Sequence, residues 1–136
     1  MSARRIDQNM AVAAAAALPP ASRLTDQEKK ALRTRYRQLG AMLHTAGLAA
    51  TYAFIAARSS AETGVLADAY LKAARGITKR LEDVGLLSRD LDPREVLEAL
   101  GRMHVVQYSR ASAETAALTR WLSRLADATY QVEQVR

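Results

Sequence analysis

KKALRTRYRQLGAMLHTAGLAATYAFIAA, residues 29–57, decides the fold class. Five of its first nine residues are basic: Lys29, Lys30, Arg33, Arg35 and Arg37. Among them Leu32, Tyr36, Leu39, Leu43 and Ala46 recur at three- and four-residue steps, the period of one helix face. Thr25, followed three residues later by Glu28, is a capping box and marks the helix start. Gly47 predicts a break or bend. Residues 48–58 predict a second helix, apolar on nearly all sides and therefore expected at the centre of the domain. A cationic amphipathic helix joined to a buried one points to binding and packing rather than to chemistry.

The pattern extends outward in both directions. Upstream, Pro19 and Pro20 end a first helix over about residues 3–18, because proline disfavours helix at the residue before it. Downstream, Ser59, Ser60 and Ala61 read as a short loop, with Ser60 a candidate cap. A long amphipathic helix follows over residues 62–84, with the stripe Leu66, Tyr70, Ala73, Ile77, Leu81 and Val84. Gly85 is placed to stop it. A turn carrying Ser88, Asp90 and Asp92 leads to a short helix capped by Asp92, with Pro93 in its first turn, running to about Leu100. Gly101 separates this from a last helix over about residues 104–132. Its stripe is Val105, Tyr108, Thr115, Leu118, Leu122, Leu125 and Val132. Alanine is abundant and alternating strand patterns are scarce, so the fold class is all-α. The 136 residues predict one compact bundle of five or six helices. The first helix is free to pack on that domain or on a partner.

The chain has no cysteine, which excludes disulfides and thiolate metal sites. Its net charge is +6, concentrated toward the two ends. Residues 25–60 hold six basic and two acidic side chains, whereas residues 61–101 hold six basic and eight acidic ones. Such asymmetry suggests a basic surface for nucleic acid, ahead of an anionic membrane or an acidic partner, with a solvated arginine-rich exterior as the equal alternative on charge alone. The uncharged run 38–57 is too rich in Ala, Gly and Thr to insert in a bilayer. Arg4 and Arg5 before an alanine run have the outline of a signal peptide, but Asp7, Gln8 and Asn9 interrupt it. The expected location is the cytoplasm, without membrane association.

Catalytic patterns are missing. His44 and His104 stand far apart without a ligand pattern, the six glycines are scattered, and no nucleophile has a base at local spacing. Asp90 and Asp92 are better explained by capping than by a cation. No metal, cofactor or small-molecule substrate is expected.

The cationic faces carry more information. Lys29, Arg33 and Arg37, at four-residue steps, share one helix face, with Lys30 beside them and His44 near the same stripe. Arg35 points elsewhere. Arg120 and Arg124, with Arg110, form a second and smaller face, partly offset by Asp127. Lys72, Arg75 and Lys79 share their face with Asp68 and Glu82, as an ordinary charged exterior does. Cations so spaced bind a nucleic-acid backbone through counterion release, without reading sequence. Tyr36 belongs to the buried stripe and Trp121 to core or interface, so base stacking has little support.

RYRQLGAMLHTAGLAATYAFIAAR, residues 35–58, resembles the small α-helical subunit of type III-B CRISPR effector complexes, the Cmr small subunit. The matching features are a basic, Tyr-containing helix (Arg35 to Arg37), an apolar turn (Leu39 to Leu43), the Gly47-Leu48 step and Ala53-Phe54. In YSRASAETAALTRWLSRLADA, residues 108–128, Tyr108, Ala113-Glu114, Trp121-Leu122 and Arg124 match the last helix of that family. RIDQNMAVAAAAAL, residues 5–18, is similar to its opening helix. The resemblance implies a non-catalytic subunit of an RNA-guided antiviral ribonucleoprotein. It implies copies of itself in a short stack, association with other effector subunits, and basic surfaces lying on guide RNA and target RNA. Lys29, Lys30, Arg33 and Arg37 would then contact phosphates, with Arg120 and Arg124 as a second patch. Two rivals stand beside this expectation. One is a helical interaction module whose basic face docks an acidic partner without nucleic acid. The other is a DNA-binding regulator reading bases from residues 33–38, which conflicts with the burial expected of Tyr36 and Leu39.

Overall fold

The capping box at Thr25 forms in both directions. Thr25 Oγ1 accepts from the Glu28 backbone N–H at 3.1 Å, and Glu28 Oε1 accepts from the Thr25 N–H at 2.9 Å. In the computed structural model, which describes residues 3–132, this box starts one of six α-helices, with no strand among the described residues. These are α1 (Ala3–Ala16), α2 (Asp26–Ala46), α3 (Leu48–Ala61), α4 (Gly64–Asp83), α5 (Pro93–Arg102) and α6 (Val105–Thr129). A 3-10 turn, Ala21–Arg23, links α1 to α2. The expected all-α bundle is the observed one.

Gly47 separates α2 from α3 at φ 93°, a left-handed conformation that favours glycine. Gly47 brings no side chain to cap α3. A residue from another helix does so instead: the Ala49 N–H donates to the Tyr108 hydroxyl of α6 at 3.0 Å. The end of α4 follows the sequence signal closely. Gly85 takes φ 78°, its N–H donates to the Glu82 carbonyl, and the Leu86 N–H donates to that of Leu81, which together make a Schellman motif. α5 starts on a second reciprocal box, between Asp92 and Glu95.

Several boundaries differ from expectation. α3 continues through Ser59 and Ser60 to Ala61, because the Ser59 hydroxyl bonds back to the Ala56 carbonyl and Arg58 pairs with Glu62 one turn on. The break comes at Glu62 and Thr63, just before Gly64 opens α4 at φ 63°, rather than at the serines. Gly101 lies inside the last turn of α5, and the chain leaves the helix at Met103. α6 then starts after His104, whose Nδ1 faces the Gln107 N–H at 3.5 Å.

The core is continuous across the helices, with Leu32, Leu48, Ile55, Leu81, Leu118 and Leu122 all fully or almost fully buried. α6 packs on α1, α2, α3 and α4, and α3 packs on α2, α4, α5 and α6, so these two helices share the centre of the bundle. α3 packs mainly on α4, and it leaves Ala50 and Ala57 exposed. Two stripe assignments also fail: Ala46 is exposed, and Val105 is 81% exposed at the open end of α6. α1, left open between its own domain and a partner, packs on α6 and, less extensively, on α4. The Tyr130 hydroxyl ties down the chain after α1 by donating to the Pro19 carbonyl.

Candidate nucleic-acid interface

The basic half of α2 faces outward because Leu32, Tyr36, Leu39 and Leu43 face inward. Burial pushes the Tyr36 phenol well above its ordinary range, with Tyr130 and Asp68 adding smaller contributions. The tyrosine among the cations is therefore committed to the core. Arg35 leaves the basic face and donates to the Tyr70 hydroxyl at 3.4 Å. Of the four cations expected to share the α2 surface, Lys30 and Arg37 are exposed, and Lys29 and Arg33 are half-buried.

α6 runs antiparallel to α2. Asp127 near its end meets the first half of α2, and Tyr108 near its start meets the residues just after α2. This geometry joins the two cationic faces. Arg124 and Arg120, both exposed, lie about one and two turns before Asp127 on the same side of α6, ~5 and ~10 Å along the axis. They extend beside the C-terminal half of α2, whose last turn carries exposed His44. Arg33 and Arg37 thus meet α6 at Asp127, and the remaining cations of the two faces lie on the same two adjacent antiparallel helices.

Asp127 sits in the seam between α2 and α6, half-exposed. Its Oδ1 accepts from Arg33 Nε at 3.2 Å and from an Arg37 Nη at 3.2 Å. The sequence suggests that Asp127 offsets the α6 arginines, but its partners are the α2 arginines. These residues lie 94 and 90 positions away, and no local spacing signals the pairing. Among the described residues, Lys29, Lys30, Arg120 and Arg124 form no ion pair. Trp121 is half-buried and packed against the core.

The third cationic cluster behaves as a charged exterior. Lys72 pairs with Asp68, and Lys79 with Asp83 rather than Glu82. Lys72, Arg75 and Lys79 also border a groove of about 680 Å³ between α1 and α4, whose wall includes Val12, Ala13 and Ala16. Glu114, one of the residues that carry the family resemblance, has a structural partner in Arg80 of α4 at 2.9 Å. Among the described residues, no group of three His, Asp or Glu side chains stands close enough to hold a metal ion. No described helix is long and apolar enough to cross a membrane.

No curated protein and no solved structure shows detectable similarity to the chain. The family model described as CRISPR-associated protein (Cas_Cmr5) matches residues 6–129, nearly all of the described helices. The chain belongs to the Cas_Cmr5 family, and is thereby a small subunit of the type III-B CRISPR effector complex, associating with its other subunits.

Proposed function

We propose that this chain is a non-catalytic, cytoplasmic subunit that lies on RNA through the seam between α2 and α6. The whole of residues 1–136 acts as one helical unit, stacked with copies of itself along the antiviral complex. Lys29, Lys30, Arg33 and Arg37 on α2, with Arg120 and Arg124 on α6, contact backbone phosphates of the guide RNA or target RNA. The observation that carries this reading is the antiparallel pairing of the two helices, with Arg33 and Arg37 of α2 on Asp127 and exposed Arg120 and Arg124 on the same side of α6. Contacts to phosphates release counterions and carry no sequence information, so binding is electrostatic and independent of sequence.

Filter binding of the full chain to a labelled guide–target RNA duplex tests the proposal. Affinity falls steeply with salt, by about 0.9 in log–log slope for each phosphate contact. Arg120→Glu with Arg124→Glu weakens binding for every RNA sequence alike. Indifference to both salt and charge reversal defeats the RNA reading and favours docking on an acidic neighbouring subunit.

A further inference from the structure

We infer that Asp127 is an internal competitor for phosphate: it occupies the anion position of a two-arginine site and is displaced when RNA docks. The inference rests on the RNA reading above and adds a regulatory residue to it.

The geometry carries the argument. Two guanidinium groups one helical turn apart converge on a single oxygen, Asp127 Oδ1, at 3.2 Å each. A phosphate oxygen accepts from guanidinium N–H groups as a carboxylate oxygen does, and two free donors on one guanidinium can hold a phosphate bidentately, which Asp127 does not achieve here. Arg33 contributes Nε and Arg37 an Nη, so each guanidinium keeps further donors. The side chains of Arg37 and Asp127 are 62% and 43% exposed, so a phosphate can approach from solvent and take over the contacts. Exposed pairs of this kind contribute little to stability, and α2 and α6 are already held by buried Leu32, Tyr36, Leu39, Leu118 and Leu122. The carboxylate therefore fits a role in setting affinity better than a role in holding the fold. It keeps the arginines ordered and partly neutralised until a stronger polyanion arrives, which lowers affinity for stray RNA.

Asp127→Asn removes the charge and keeps the shape. A unit charge ~6 Å from a phosphate in water-like surroundings changes affinity by about threefold. Release of the two arginines contributes about as much again, so the expected gain in RNA affinity is about tenfold, with a steeper salt dependence. In a background carrying Arg33→Gln and Arg37→Gln, Asp127 has no arginine to occupy, and the same substitution gives only the threefold field effect. Asp127→Ser is the second variant, and far-UV circular dichroism checks folding of each. An equal gain in both backgrounds, no gain, or a loss overturns the inference. It does so without touching the RNA reading, provided that affinity still responds to salt and to Arg120→Glu with Arg124→Glu. If affinity responds to none of these, the RNA reading fails and the inference with it.

Discussion

Gly40 and Gly76 both lie inside helices, and the structure predicts opposite outcomes for replacing them with alanine. A glycine in a helix interior costs about 1 kcal/mol relative to alanine. At Gly40, in α2, a new Cβ would meet nothing within 4 Å, so Gly40→Ala keeps the full gain. For a chain of this size that raises Tm by about 4 °C. At Gly76, in α4, the new Cβ would stand 3.2 Å from Ala17 Cβ and 3.7 Å from Leu118 Cδ2. Ala17 is held between the last turn of α1 and the Tyr130–Pro19 hydrogen bond, and Leu118 is fully buried. Overpacking a site like this costs about 1–3 kcal/mol. Gly76→Ala is therefore neutral to destabilising by about 2 kcal/mol. Urea denaturation and thermal melts followed by far-UV circular dichroism separate the two variants. If Gly76→Ala stabilises as much as Gly40→Ala, α1 does not lie against α4 and the account of the groove beside it is wrong.

Tyr108→Phe removes the hydroxyl that accepts from Ala49. It should cost about 1 kcal/mol, as loss of an N-cap does, because Gly47 offers no substitute; a urea midpoint equal to that of the parent refutes the assignment. Glu114→Gln leaves Arg80, whose side chain is only 13% exposed, without its carboxylate. A loss of about 1–2 kcal/mol is expected, with RNA affinity unchanged, and an affinity change would return Glu114 to the functional residues. The fold should also weaken in alkali. Burial raises the Tyr36 and Tyr52 phenols, and that of Tyr130 to about 12. Folded tyrosines thus hold their protons where unfolded ones, near 10, release them, so stability is intact below about pH 10 and falls as the pH rises toward 12. Ultraviolet phenolate absorbance should show these three titrating late, together with unfolding; early ionisation without unfolding contradicts their burial.

Local chemistry was readable from the sequence wherever it is self-contained. Thr25 with Glu28, Gly85, and Asp92 with Pro93 each act within a few residues, and each marks the boundary it predicts, as Gly47 does through its backbone conformation although α3 takes its cap from Tyr108. Ser59 and Ser60 misled because serine serves a loop or returns a hydrogen bond to its own helix, and only the fold decides which. Gly64 was the better signal, since its left-handed φ is one that few other residues adopt. Val105 has the period of the buried face of α6, but the neighbouring helices do not extend to cover it. The uniformly apolar surface of α3 suggested burial on all sides, yet alanines tolerate solvent, and one side of α3 leaves Ala50 and Ala57 exposed while Leu48, Tyr52 and Ile55 are buried. The two cationic faces could be read from helical spacing one at a time. Their union could not, because it depends on α6 lying antiparallel to α2, and the Asp127 contacts that reveal it link residues at opposite ends of the chain.

The central claim is that the α2–α6 seam lies on RNA within the assembled complex. Ultraviolet crosslinking of that complex, loaded with guide RNA and target RNA and mapped by mass spectrometry, tests it most directly. Nucleotide adducts should form on peptides from residues 29–37 and 120–124 and be lost when Arg33, Arg37, Arg120 and Arg124 are reversed in charge. Lysine-to-protein links at Lys29 and Lys30, with no RNA adduct on either helix, would contradict it.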